Sequence, residues 1–184
     1  MNFLVTGAAG FIGARTSKLL LDKNFNVTGI DNLNDYYDVK IKNYRLSLLK
    51  PNELFKFYNT DIENKQNLEE IFYENKIDVV INLAARAGVR YSLKNPFIYA
   101  STNYIGSLNL LDFMRRYNIK KYIMASTSSI YAGSEMPFKE SSSVNKPISP
   151  YAASKKAAEL IAYTYSHQFN LDVTVLRYFT VYGP

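Results

Sequence analysis

The stretch STSSIYAG, residues 126–133, follows the apolar run KKYIMA and puts four hydroxyl side chains at the end of a segment that reads as a buried strand. A nucleophilic serine at such a lip needs a histidine, and the chain has one, His167, far downstream. The segment YAASKK offers another proton carrier. Its Tyr151 and Lys155 stand at i and i+4, one above the other on a helix face. A lysine ammonium beside a phenol favours the phenolate, and a helix N-terminus adds to the effect. Tyrosine normally titrates near pH ~10; here it is expected to act as a base near neutrality. One hydroxyl of STSS would share its hydrogen bond to a substrate.

A second constellation opens the chain. TGAAGFIG carries Gly7, Gly10 and Gly13 between a short β-rich run and a helical pattern. Gly7 permits a tight turn, Gly10 lets backbone approach a pyrophosphate, and Gly13 lets the helix pack on the strand. Phe11 and Ile12 begin that helix, whose free N–H groups would face the phosphates. Asp31 ends the next strand, where an acid can accept hydrogen bonds from both adenosine ribose hydroxyls and repel a 2′-phosphate. The expectation is NAD rather than NADP. DN is also good turn chemistry, so Asp31 could serve only its turn. Asp61, with Ile62 at the end of the third strand, could contact adenine or merely cap a helix.

Strand-like and helix-like segments alternate around these motifs. Strands are expected over residues 2–6, 26–31, 54–61, 77–85, 120–126 and 172–179. Helices are expected after the glycine turn and over residues 39–49, 64–75, 96–117 and 151–169. The run IDVVINLAA is continuously apolar, as in a central strand covered on both faces. Six strands separated by helices specify an α/β fold with a doubly wound parallel sheet. Such sheets bind ligands beyond the carboxyl ends of their strands, where every motif above falls.

Composition narrows the class. The net charge of +6 comes from scattered Lys and Arg with acids interspersed, which reads as solvated helix faces rather than a nucleic-acid surface. Without cysteine there is neither a disulfide framework nor a thiolate metal site, and no metal is expected. No apolar run reaches membrane-spanning length, and MNFLV lacks the basic start of a signal peptide. A cytoplasmic protein is expected.

In order, the glycine turn, acid, apolar fourth strand, hydroxyls and YxxxK resemble the extended short-chain dehydrogenase/reductases of the nucleotide-sugar epimerase/dehydratase group. DNLNDYYDVKIK, NLAARAGVRYSLKNP, MPF and YAASKKAAELIAYTYSH are similar to UDP-glucuronate 4-epimerases, and the resemblance runs over the whole chain. It implies a Rossmann domain over residues 1–184, with a smaller substrate-binding domain missing after Pro184. It assigns catalysis to Thr127, Tyr151 and Lys155. It implies that NAD is held by Gly7, Gly10, Phe11, Ile12, Gly13, Asp31, Asn32, Asp61, Ile62, Leu83, Ala84 and Ala85, with Tyr151 and Lys155. Arg90, Ser128, Ser129 and Thr180 would meet the sugar. Ser128 and Ser129 stand where related 4,6-dehydratases carry acids, which weakens dehydration. Arg86 is a further possible substrate contact, and Asn103 reads as a buried helix-to-loop hydrogen bond. IYAG replaces the usual VYG, with a slightly shortened loop before MPF.

The implied activity is C4 epimerisation of UDP-glucuronate to UDP-galacturonate through a 4-keto sugar, with little turnover by these 184 residues alone. The alternatives are another NAD-dependent nucleotide-sugar epimerase or dehydratase, and a nicotinamide-binding module without turnover. A homodimer through the helices of residues 96–117 and 151–169 is also implied.

Overall fold

The computed structural model describes residues 1–183. Its six strands form one parallel sheet in the order β3-β2-β1-β4-β5-β6. They are β1 (Asn2–Thr6), β2 (Asn26–Asp31), β3 (Phe55–Asn59), β4 (Val79–Asn82), β5 (Lys121–Thr127) and β6 (Asp172–Tyr178). The order reverses between β1 and β4, and this switch point opens a crevice at the carboxyl end of the sheet.

Alternate residues of the central strands face opposite layers. Leu4 and Val80 join one core cluster with residues of α3 (Lys65–Glu74), α6 (Ser107–Arg116) and α7 (Pro150–Phe169). Val5, Val79 and Ile81 join the other with residues of α1 (Phe11–Asp22) and α2 (Val39–Leu49). The period of two in each strand thereby yields three layers. Every residue of β4 is buried, as the apolar run predicts. The strand nevertheless stops at Asn82, and Leu83, Ala84 and Ala85 leave the sheet to line the crevice.

The glycine turn is built as its spacing requires. Gly7 adopts φ +69, and a Cβ at Gly13 would lie 2.0 Å from the Gly7 carbonyl oxygen. Only glycine lets α1 pack so closely on β1. The long helix expected over residues 96–117 has three parts: α5 (Pro96–Tyr99), a π-helical stretch (Ala100–Gly106), and α6. Two short elements lie outside the sequence expectation, α4 (Val89–Lys94) and a single 3₁₀ turn (Ser128–Tyr131).

Helix α7 begins at Pro150, with the Ser149 side chain accepting a hydrogen bond from the Ala152 N–H at 3.1 Å. This cap fixes where Tyr151 enters the helix. No helix among the described residues is long and apolar enough to cross a membrane.

Candidate functional site

One crevice crosses the carboxyl ends of the strands. Its first half is lined by Asp31, Asn32, Asp61, Ile62 and Ala84, among others. Its second half is lined by Phe11, Ile12, Thr127, Ser128, Ser129 and Thr180, with Tyr151 and Lys155. Gly7, Gly10, Leu83 and Ala85 border both halves, and Gly13 borders the second. The structure thus brings the glycine turn, the acid and the YxxxK pair to one continuous groove. Arg90 is not among them: it is exposed on α4, whereas Arg86 lines the first half.

Asp31 is 7% exposed, and its carboxylate is held from two sides. Oδ2 accepts the Ala9 N–H at 3.2 Å, and Oδ1 accepts the Leu33 N–H at 2.9 Å. The residue therefore shapes its turn and borders the groove at once. Sequence reasoning missed its third neighbour, Lys42 of α2, whose Nζ lies 3.5 Å from Oδ1. Asp61 accepts a hydrogen bond from the Asn32 side chain and another from the Glu63 N–H. It does not cap α3; Asn64 does, accepting from the Asn67 N–H.

At the other end, burial pushes the Lys155 amine down to about 8, against the pull of the Glu159 carboxylate. The ammonium donates to the Ala125 carbonyl of β5 at 2.7 Å. Burial raises the Tyr151 phenol, a hydrogen bond with Thr127 lowers it, and the nearby Tyr36 raises it further. The expected lowering of Tyr151 by Lys155 is not what this arrangement shows. The two residues share a helix face, but the lysine reaches onward to a strand carbonyl. Burial thus outweighs the Thr127 hydrogen bond, the one contact here that favours ionisation of the Tyr151 phenol.

A brace behind these residues was also invisible to motif reading. The Glu159 carboxylate accepts two hydrogen bonds from Arg177 at 3.0 Å each and one from Ser126 at 2.6 Å. Arg177 also donates to the Tyr131 hydroxyl at 2.8 Å and the Glu140 carbonyl at 3.1 Å. Burial opposes the charge on Glu159, yet its bonds with Arg177 and Ser126 hold the carboxyl below its ordinary range. One ion pair thereby ties α7 to β5, β6 and the hydroxyl-bearing turn. Glu159 lies one helical turn beyond Lys155, and that spacing was the available clue.

The other side of the groove is fixed by Asn103 in the π-helical stretch. Its Oδ1 accepts the Arg86 N–H at 2.8 Å, while Nδ2 donates to the Arg86 carbonyl at 3.0 Å and Ser154 at 2.9 Å. This is the buried helix-to-loop bond expected of it. Across the groove mouth, the Tyr36 hydroxyl donates to the Ala87 carbonyl at 2.8 Å. The segment after Asp31 is thus strapped to the segment after β4. Tyr99 donates to the same carbonyl at 2.7 Å, and its ring lies edge-on to Tyr151 with centroids 6.0 Å apart.

These features fit a dinucleotide. A Cβ at Gly10 would lie 3.0 Å from the Gly7 carbonyl, and α1 starts without a side-chain cap, leaving first-turn N–H groups for an anion. No group of three or more metal-ligating side chains occurs among the described residues.

Comparison with known proteins agrees with this geometry. The sequence pattern of the NAD dependent epimerase/dehydratase family matches residues 3–184. The UDP-glucuronate 4-epimerase of Thermodesulfobacterium geofontis is 57% identical over 182 residues, covering 99% of this chain and 56% of its own. A crystal structure of UDP-glucuronic acid 4-epimerase from Bacillus cereus, with UDP-glucuronic acid and NAD, superposes with TM-score 0.90. It is 35% identical and is matched over 100% of this chain and 58% of its own. UDP-glucose 4-epimerase from Thermotoga maritima, with UDP-glucose, gives TM-score 0.86 at 36% identity, over 100% of this chain and 57% of its own. The chain therefore spans little more than half the length of these relatives.

Proposed function

The chain belongs to the NAD-dependent epimerase/dehydratase family, and from that premise we propose that it serves C4 epimerisation of a UDP-sugar, UDP-glucuronate in particular. The observation that carries this reading is the single groove with Asp31 at one end and Thr127, Tyr151 and Lys155 at the other. Residues 1–184 act in this reading as one cofactor-binding domain, and the protein works in the cytoplasm.

Asp31 accepts the adenosine ribose hydroxyls, Asp61 and Ile62 flank the adenine, and the first turn of α1 faces the pyrophosphate. Bound there, NAD takes hydride from the sugar's C4 and returns it to the opposite face, so sugar and cofactor end with no net redox change. Tyr151, ionised once the groove is loaded, would take the C4 hydroxyl proton as a phenolate and give it back, with Thr127 sharing the hydrogen bond. Lys155, protonated and pinned to the Ala125 carbonyl, orients the neighbouring ribose. Ser128, Ser129 and Thr180 give neutral hydrogen bonds to a C6 carboxylate, a pattern that supports a uronate without promoting its loss.

Turnover needs binding energy from remote substrate groups to bring C4 into line. The 184 residues are therefore expected to bind NAD yet epimerise UDP-glucuronate slowly. Fusing them to the remaining residues of the Thermodesulfobacterium geofontis relative should raise turnover by orders of magnitude. Tyr151→Phe should abolish that gain. Chromatographic detection of UDP-galacturonate reads both effects. A fusion that binds NAD but makes no 4-epimer of any UDP-sugar would refute the proposal.

A further inference from the structure

Lys42 lines the groove wall, and the proposed reaction gives it no role. It is 4% exposed, a degree of burial lysine reaches only with a partner. The partner is Asp31, and both line the first half of the groove. Their separation of 3.5 Å is an ion contact rather than a short hydrogen bond, so the ammonium keeps donor capacity. The Tyr37 ring lies against it, 5.1 Å from Nζ to the centroid. Asp31 meanwhile has its own two backbone donors, Ala9 and Leu33. The wall thus presents a buried acid and a buried cation side by side.

We propose that Lys42 is a latent site for a ribose 2′-phosphate, so that the Asp31–Lys42 pair, not Asp31 alone, sets the choice between NAD and NADP. The inference rests on the cofactor reading above, which puts the adenosine ribose at Asp31. A carboxylate by itself repels a phosphate, but here an ammonium at its side cancels much of that field. With the acid removed, Lys42 becomes a buried charge without its counterion, a costly state that an arriving phosphate relieves. Arg86 also lines this half of the groove, from the segment after β4. It supplies the control for generic positive charge.

Calorimetric titration with NAD and NADP tests this on the unaltered chain, D31S, K42M, D31S/K42M, D31S/K42R and D31S/R86Q, with far-UV circular dichroism verifying each fold. D31S should bind NADP at least tenfold tighter than the unaltered chain does. D31S/K42M should lose that gain, while D31S/K42R and D31S/R86Q keep it. K42M alone should widen the preference for NAD. If the methionine variants fail to fold, K42Q takes their place, removing the charge while keeping a polar tip. Equal NADP affinity in D31S and D31S/K42M, with NAD still bound by the unaltered chain, overturns this inference alone. Failure of the unaltered chain to bind NAD overturns the cofactor reading and this inference with it.

Discussion

Lys155 shows what a buried cation costs its own fold. Burial lowers its amine from 10.5 to about 8, so between those values the folded chain binds fewer protons than the unfolded one. Stability therefore rises with pH across that window, and the penalty is fully present below it. Lys155→Met should stabilise the protein at pH 7 by about 3 kcal/mol at most, the advantage shrinking to nothing as pH climbs past the unfolded lysine's titration. Urea unfolding of both proteins at pH 7 and pH 9.5 measures the difference. An advantage that stays constant with pH would refute the burial argument. The YxxxK spacing was legible because both residues lie on one element. What their side chains reach was not: the strand carbonyl that takes Lys155 lies 30 positions away, and only the folded sheet puts it there.

At the scale of elements, the strands were legible because a parallel sheet covered on both faces demands apolar runs, and glycine spacing marked the first turn. The π-helical stretch was not, since apolar periodicity does not separate a π turn from its α neighbours. Yet that stretch carries Asn103, whose three hydrogen bonds hold the segment around Arg86 against α7. Asn103→Ala should destabilise the fold by about 2 kcal/mol, because it leaves backbone groups of Arg86 without partners. It should also weaken NAD binding, as that segment walls the groove. Guanidinium unfolding and cofactor titration read the two effects, and a change below about 0.5 kcal/mol would show the bonds to be replaceable. The Glu159–Arg177 brace was equally hidden, because its members are 18 positions apart on a helix and a strand.

On the scale of the whole molecule, the helices leave apolar side chains outside the core. Leu160 and Tyr163 of α7 are 55% and 70% exposed, and Phe97 of α5 is 83% exposed. Ile161 and Tyr165 instead pack on the core, so α7 carries more apolar surface than one face can bury. We propose that two copies pair through the helices of residues 96–117 and 151–169. Light scattering should give twice the chain mass at micromolar concentration, and a monomer there would count against the pairing. The strap from Tyr36 to the Ala87 carbonyl bears on time rather than affinity. An enzyme that borrows a hydride and must return it to the same sugar fails whenever its cofactor escapes midway. In the proposed enzyme, a hydroxyl bolted across the groove that carries both ends of the site would lengthen the cofactor's residence, so Tyr36→Phe should speed NAD release in stopped-flow fluorescence by several-fold while changing the equilibrium little. A release rate unmoved by that substitution would mean the cofactor leaves by a path the strap does not guard.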